Sequence, residues 1–170
     1  HLVITLSTAW SYYHLESKQS VANCHKVPLQ SFRKELLSTE EIERALNEIV
    51  EDVHQINPDA AVIFTVSPVR HIKDGFVENQ RSKAHLITAI HNVLENGKSI
   101  SPLEVRGLYF PSYELMMDEL RDYRFYGEDM VHPSQTAINY IWKRFKEAWF
   151  SEASLFVLNE VENIQKGLAH

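Results

Sequence analysis

The strongest constraint on the fold is a pair of unbroken apolar runs rich in β-branched residues, Leu2-Val3-Ile4-Thr5-Leu6 and Ala60-Ala61-Val62-Ile63-Phe64-Thr65-Val66. Neither alternates polar with apolar. Each therefore reads as a strand buried on both faces, the pattern of strands in the middle of a parallel sheet. A weaker run of the same kind covers residues 107–110. All three fall far short of the roughly 20 apolar residues that a bilayer-spanning helix needs, so no membrane span is expected. Strands alternating with helical segments in 170 residues, 44% of them hydrophobic, suit one α/β domain with its own core. The first run starts directly after His1, and a strand buried on both faces needs neighbours. The expectation is that earlier strands of the sheet lie outside these residues.

The helical segments carry their own start and stop signals. Ser38-Thr39-Glu40-Glu41 is a capping box, in which the Ser38 hydroxyl and the Glu41 carboxylate satisfy each other's free backbone N–H groups. Ile42, Ala45, Leu46, Ile49, Val50, Val53 and Ile56 follow at spacings of one, three and four, and Asn57-Pro58 ends the run. A second helix is expected over residues 78–94, with Ala84, Ile87, Ile90 and Leu94 on its buried stripe and Asn96-Gly97 as its stop. A short third helix follows Ser112 and carries Leu115, Met116 and Leu120. A fourth starts near Pro133-Ser134 and is expected to bury Ala137, Ile138, Ile141, Trp142, Phe145 and Trp149. Residues 152–166 read as one more amphipathic helix, using Leu155, Leu158, Val161 and Ile164. Residues 1–150 thus form the expected domain and residues 151–170 a helical tail.

Charge and cysteine usage narrow the partners. A net charge of −6, with 17 Lys and Arg scattered rather than striped, speaks against nucleic acid. Cys24 is the sole cysteine and cannot form an internal disulfide, so the compartment stays open.

In an open parallel sheet, ligands bind outside the carboxyl ends of the strands. That rule selects residues 7–13, 67–75 and 111–113, with the loop 123–132 able to reach the same rim. In this last loop Asp129 stands three residues before His132, directly ahead of a helix. In a turn, the carboxylate can fold back to accept the imidazole Nδ1–H, which sets the tautomer and leaves Nε2 free as a base. The same pattern also suits a turn that merely caps the helix. Asn23-Cys24-His25-Lys26 offers an amide or imidazole to a substrate, or a thiol beside a base. Adjacent residues rarely face each other, so a buried structural thiol is the favoured fate of Cys24. Ser67 leaves the second strand and is either a nucleophile or part of a hydrogen-bonded turn. Pro68 argues for the turn, because a nucleophile elbow needs small neighbours. Arg70 and His71 bind substrate or tie down their loop. Residues 121–126, with Arg121, Tyr123, Arg124, Phe125 and Tyr126, suit an anion or a loop anchored by aromatics. His71, Asp74, His85 and His91 lack the spacing of a metal site, and solvated helix positions account for His85 and His91. No metal is expected.

Several ordered motifs together resemble the GSCFA domain family over most of the chain, from about residue 2 to residue 145. They are Leu6-Ser7-Thr8-Ala9-Trp10, Val21-Ala22-Asn23-Cys24-His25-Lys26-Val27-Pro28, Phe64-Thr65-Val66-Ser67-Pro68-Val69-Arg70-His71, Tyr109-Phe110-Pro111-Ser112-Tyr113-Glu114 and Asp129-Met130-Val131-His132-Pro133-Ser134. That family is grouped with the SGNH, or GDSL-like, hydrolases. The resemblance implies a flavodoxin-like three-layer αβα fold with a parallel sheet, and a serine hydrolase in which a Ser attacks an ester. It matches His132 to the terminal catalytic His and Asp129 to its partner. Two departures stand out. The Gly-Ser-Cys-Phe-Ala motif with the nucleophile is absent, and Ser7-Thr8-Ala9-Trp10 stands where broader SGNH hydrolases carry Gly-x-Asn-Asp. Asn23 is a candidate replacement for the missing oxyanion donor.

The resulting expectation is the C-terminal part of an esterase or acyl hydrolase domain, with the nucleophilic Ser outside the chain. Its substrate would be a carboxylic ester, such as an acylated carbohydrate. Thr8, Asn23, His25, Ser67, Arg70 and His71 are the candidate substrate contacts, and no organic cofactor is implied. A non-catalytic scaffold that binds a glycan or protein partner is the main alternative. A small self-contained α/β protein using Ser67 or Cys24 is the third.

Overall fold

The computed structural model describes residues 1–21, 24, 26–96 and 108–168. The chain divides into two compact units, His1–Glu114 and Leu115–His170. The first unit holds a parallel sheet of β1 (Leu2–Leu6), β5 (Val62–Val66) and β6 (Leu108–Phe110) in the order β1-β5-β6. The α/β class and the parallel sheet expected from the sequence are observed. All five residues of β5 are buried, as its apolar run requires.

Among the described residues β5 alone borders β1, and Leu2 is 40% and Val3 45% exposed. A second sheet, which the hydrophobic pattern does not announce, follows β1. It is antiparallel and ordered β3-β2-β4, from β2 (Trp10–His14), β3 (Gln19–Val21) and β4 (Phe32–Leu36). Every residue of β2 is half-buried, so polar and aromatic side chains mix on both faces and no clean alternation survives.

The two long helices of this unit pack on one another. In α1 (Thr39–Ile56) both capping-box hydrogen bonds form, Glu41 N to Ser38 Oγ at 3.2 Å and Ser38 N to Glu41 Oε2 at 2.8 Å. Ile42, Leu46 and Val50 are its buried residues, a narrower stripe than the sequence suggests. α2 (Phe76–Asn96) also packs on β5. Its buried stripe is Asn79, Ser82, Lys83, Leu86, Ala89, Ile90 and Val93. Ala84 is exposed and Ile87 and Leu94 only half-buried, so the helix is rotated relative to the expected stripe. The rotation has a cause: the first turns present polar groups inward. Beyond β6, the three-residue α3 (Ser112–Glu114) is tied back to β5, with Ser112 Oγ donating to Val66 O at 2.6 Å and lying 2.7 Å from Thr65 Oγ1.

The second unit opens on a π-helical turn, Leu115–Glu119, followed by a 3₁₀ turn, Tyr123–Phe125, then α4 (Gln135–Trp149) and α5 (Glu152–Leu168). Met116, Leu120 and Ala137 are its core, with Phe125, Tyr126, Tyr140 and Ile141 packed around them. Ala137 is the one buried residue of α4; Ile138 and Trp142 are exposed and Ile141, Phe145 and Trp149 half-buried. The expected apolar face instead stacks its rings on each other, Trp142 on Phe145 at 5.6 Å. α5 buries no residue: Leu155 and Leu158 are half-buried, and Val161 and Ile164 are exposed. Among the described residues no helix is long and apolar enough to cross a membrane.

Candidate active site

Asp129 and His132 sit in a closely tied turn ahead of α4. Gly127 N donates to His132 O at 2.7 Å, Met130 N to Gly127 O at 3.0 Å, and Ser134 N to Phe125 O at 2.7 Å. Tyr126 and Pro133 form an isolated bridge across its base. Met130 takes a φ of 56°, an unfavourable left-handed conformation for a side chain of its size. That reversal brings Asp129 under its own chain. Asp129 Oδ1 accepts the backbone N–H groups of Val131 and His132, both at 2.9 Å. Asp129 Oδ2 accepts the His132 Nδ1–H at 2.6 Å.

These donors hold the Asp129 carboxyl at about 2, well below its ordinary value of 3.8; the His132 backbone N–H contributes most, then that of Val131, then the imidazole. The group is ionised through the neutral range and can only accept hydrogen bonds. A neutral His132 must then carry its proton on Nδ1, which leaves the Nε2 lone pair available. Nε2 makes no hydrogen bond among the described residues, and the side chain is 64% exposed. The turn also caps the helix, though not through Asp129. Ser134 is the N-cap of α4, with its Oγ accepting from Ala137 N at 3.4 Å. Asp129 is thus bound to the histidine and its backbone and not to the helix.

The segments that leave the parallel strands in the first unit are differently equipped. Thr8 is exposed, and its Oγ1 accepts from Trp10 N at 3.2 Å and pairs with Ser82 Oγ at 3.0 Å. Ser67 is buried and its Oγ accepts from Val69 N at 3.3 Å, which is the hydrogen-bonded turn and not an exposed nucleophile. The Arg70 guanidinium lies over the Phe76 ring at 5.6 Å, and His71 N donates to Asn79 Oδ1 at 2.8 Å. Gly75 closes this loop at a φ of 104°, where a side chain would be strained. Asn23 and His25 lie outside the described residues, and the Cys24 thiol is half-buried and free.

Three residues that sequence reasoning missed stand behind these loops, on the inner face of α2. Asn79 receives the His71 N–H. Ser82 Oγ receives Ala9 N at 2.7 Å. Lys83, 1% exposed, donates from Nζ to Ser7 O and to Ser67 O, both at 2.7 Å, with the Tyr113 ring 5.5 Å away. Burial pulls the Lys83 ammonium down from 10.5 to about 8. A signal for all three exists in the sequence. Extending the Leu86, Ala89, Ile90, Val93 stripe backwards by three and four residues lands on Lys83, Ser82 and Asn79.

The remaining candidates are structural. His85 is half-buried and its Nδ1 donates to Leu37 O at 2.7 Å, so it is not simply a solvated position, while His91 is exposed, with its ring edge-on to Tyr109 at 4.9 Å. Phe125 and Tyr126 anchor their loop on the Met116 core, and Arg124 pairs with Asp122 at 3.1 Å. Among the described residues, no group of three His, Cys, Asp or Glu is placed to hold a metal ion.

Compared with known families, residues 1–145 match the model of the GSCFA family. No curated protein and no solved structure matches the chain.

Proposed function

The chain belongs to the GSCFA family, and from that premise we propose that it is part of a serine esterase or acyl hydrolase of the SGNH type, acting on a carboxylic ester such as an acylated carbohydrate. The flavodoxin-like three-layer αβα architecture, with further strands and the nucleophilic Ser outside these residues, belongs to the same reading. So does a domain that ends near residue 150, with residues 151–170 as an appended helix. The observation that carries it is the 2.6 Å contact between an ionised Asp129 and the Nδ1 of an exposed His132.

In the reaction, His132 Nε2 takes the proton of the Ser hydroxyl as its oxygen bonds to the ester carbonyl. The imidazolium is stabilised by Asp129 and returns the proton to the departing alkoxide. The acyl group is left on Ser, and His132 repeats the cycle with water to release the acid. Thr8, Arg70 and His71, with Asn23 and His25, are the side chains this reading gives to substrate binding, while Ser67 shapes its turn.

Full-length protein should hydrolyse p-nitrophenyl acetate, and His132→Ala should abolish turnover. Equal rates in variant and wild type would remove the hydrolase reading. One observation favours the second reading, a non-catalytic scaffold that binds a glycan or protein: the Ser7-Thr8-Ala9-Trp10 segment offers no Asn donor, and its Thr8 hydroxyl is engaged with Ser82. Losing one oxyanion donor costs catalysis about 10²- to 10³-fold.

A further inference from the structure

β1 and β5 end in register, with Leu6 opposite Val66, so Ser7 and Ser67 leave adjacent strands at the same level. The chain runs on to Thr8 and Trp10 after β1 and to Val69 and His71 after β5. Ladder pairing ends with Ser67 N to Leu6 O at 2.8 Å, and the carbonyls of Ser7 and Ser67 need other donors. Lys83 supplies both.

We propose that Lys83 is a positioning residue that clamps the two loops leaving β1 and β5 to one another. Two of its three N–H groups are spent on the Ser7 and Ser67 carbonyls at 2.7 Å each. No carboxylate pairs with it among the described residues, and a buried charge held without a counter-ion is costly to the fold. A methionine or leucine would fill the same space without that cost, but would leave the two carbonyls without a donor.

The neighbours of Lys83 on α2 act on the same two loops, one each. Ser82 holds Thr8 and Ala9 of the first, and Asn79 holds His71 of the second. Among the described residues of α2, Lys83 alone reaches both, so it sets the spacing that Ser82 and Asn79 then hold locally. The Tyr113 ring, itself fixed by its hydroxyl donating to Gln80 at 2.8 Å, faces the ammonium. The catalytic part of the inference rests on the hydrolase reading, in which these loops carry substrate contacts; the clamp itself does not.

The test is residue-resolved amide hydrogen exchange on the chain, with ester kinetics on the full-length protein. Lys83→Met should speed exchange of Ala9 and of Val69 and His71 together, by about 10-fold or more. Ser82→Ala should act on Ala9 alone and Asn79→Ala on His71 alone, with Ser82→Thr restoring Ala9. With p-nitrophenyl acetate, Lys83→Met should lower kcat about 10- to 100-fold with KM within about twofold, because misplaced groups cost orientation. Unchanged exchange in either loop of Lys83→Met overturns the clamp, and full kcat with both loops loosened overturns its positioning role. Failure of wild-type protein to turn over the ester overturns the hydrolase reading, while the exchange pattern still decides the clamp. Should Lys83→Met not fold, exchange in wild type under mild denaturant decides: Ala9 and His71 must open as one unit, and independent openings overturn the proposal.

Discussion

Lys83 makes an unusual prediction about stability against pH. Its ammonium sits at about 8 in the folded chain and at 10.5 when free in water. The folded state therefore binds fewer protons than the unfolded state between those values, and stability rises as pH climbs through that window. The difference, 10.5 minus 8, is about 2.5 pH units, or about 3 kcal/mol that the charged form costs the fold below pH 8. Lys83→Met removes this cost but leaves the Ser7 and Ser67 carbonyls without their donor, at about 1 kcal/mol each. At pH 7 the variant should therefore lie close to wild type or about 1 kcal/mol above it, and at pH 10.5 about 2 kcal/mol below it. The assay is urea denaturation of both proteins at pH 7, 8, 9 and 10.5. Tyr109, raised above its ordinary value by burial and by its hydrogen bond to Glu114, loses stability as pH passes 10. That loss is common to both proteins and cancels in their difference. Stability curves that run parallel across the whole range would refute the reasoning, because they would mean that Lys83 titrates alike in both states.

Three further outcomes follow from the geometry. On the hydrolase reading, Asp129→Asn should leave thermal stability nearly unchanged and lower kcat of the full-length protein about 10⁴-fold, since an amide can hold the wrong tautomer of His132; a loss under tenfold would remove Asp129 from the proposed mechanism. Because the Asp129 carboxyl is lowered to about 2, the turn it holds should persist as pH falls from 7 to 4 and open only as pH nears 2, which the amide chemical shifts of Val131 and His132 report. Phe64→Ala, in the fully buried central strand, should cost about 3–5 kcal/mol by denaturant melting. A cost under 1 kcal/mol would contradict the placement of β5 at the centre of the sheet.

Much of the first unit is legible from local chemistry. The β5 run needs burial on both faces whatever surrounds it, and the Ser38–Glu41 box starts its helix with groups three residues apart. The Asp129–His132 pair is legible for the same reason, since three residues of turn suffice to close it. The antiparallel sheet is not legible: strands that are half-buried on both faces carry no period-two signal. The exposed faces of α4 and α5 are not legible either, because apolar spacing states which side of a helix avoids water and not whether anything covers it.

The sequence by itself determined that this chain builds parallel strands with a capped helix between them, and that one carboxylate can steady one imidazole. These follow from interactions between residues close along the chain, whose distances backbone geometry sets in advance. Only the tertiary structure decided that α2 turns Asn79, Ser82 and Lys83 inward, and that the Ser7 and Ser67 carbonyls share one ammonium. Lys83 stands 76 residues from the first of those carbonyls and 16 from the second. A charged side chain ordinarily faces water, and nothing local reverses that; the donors those two strand ends lack exist as a demand only after the sheet has formed.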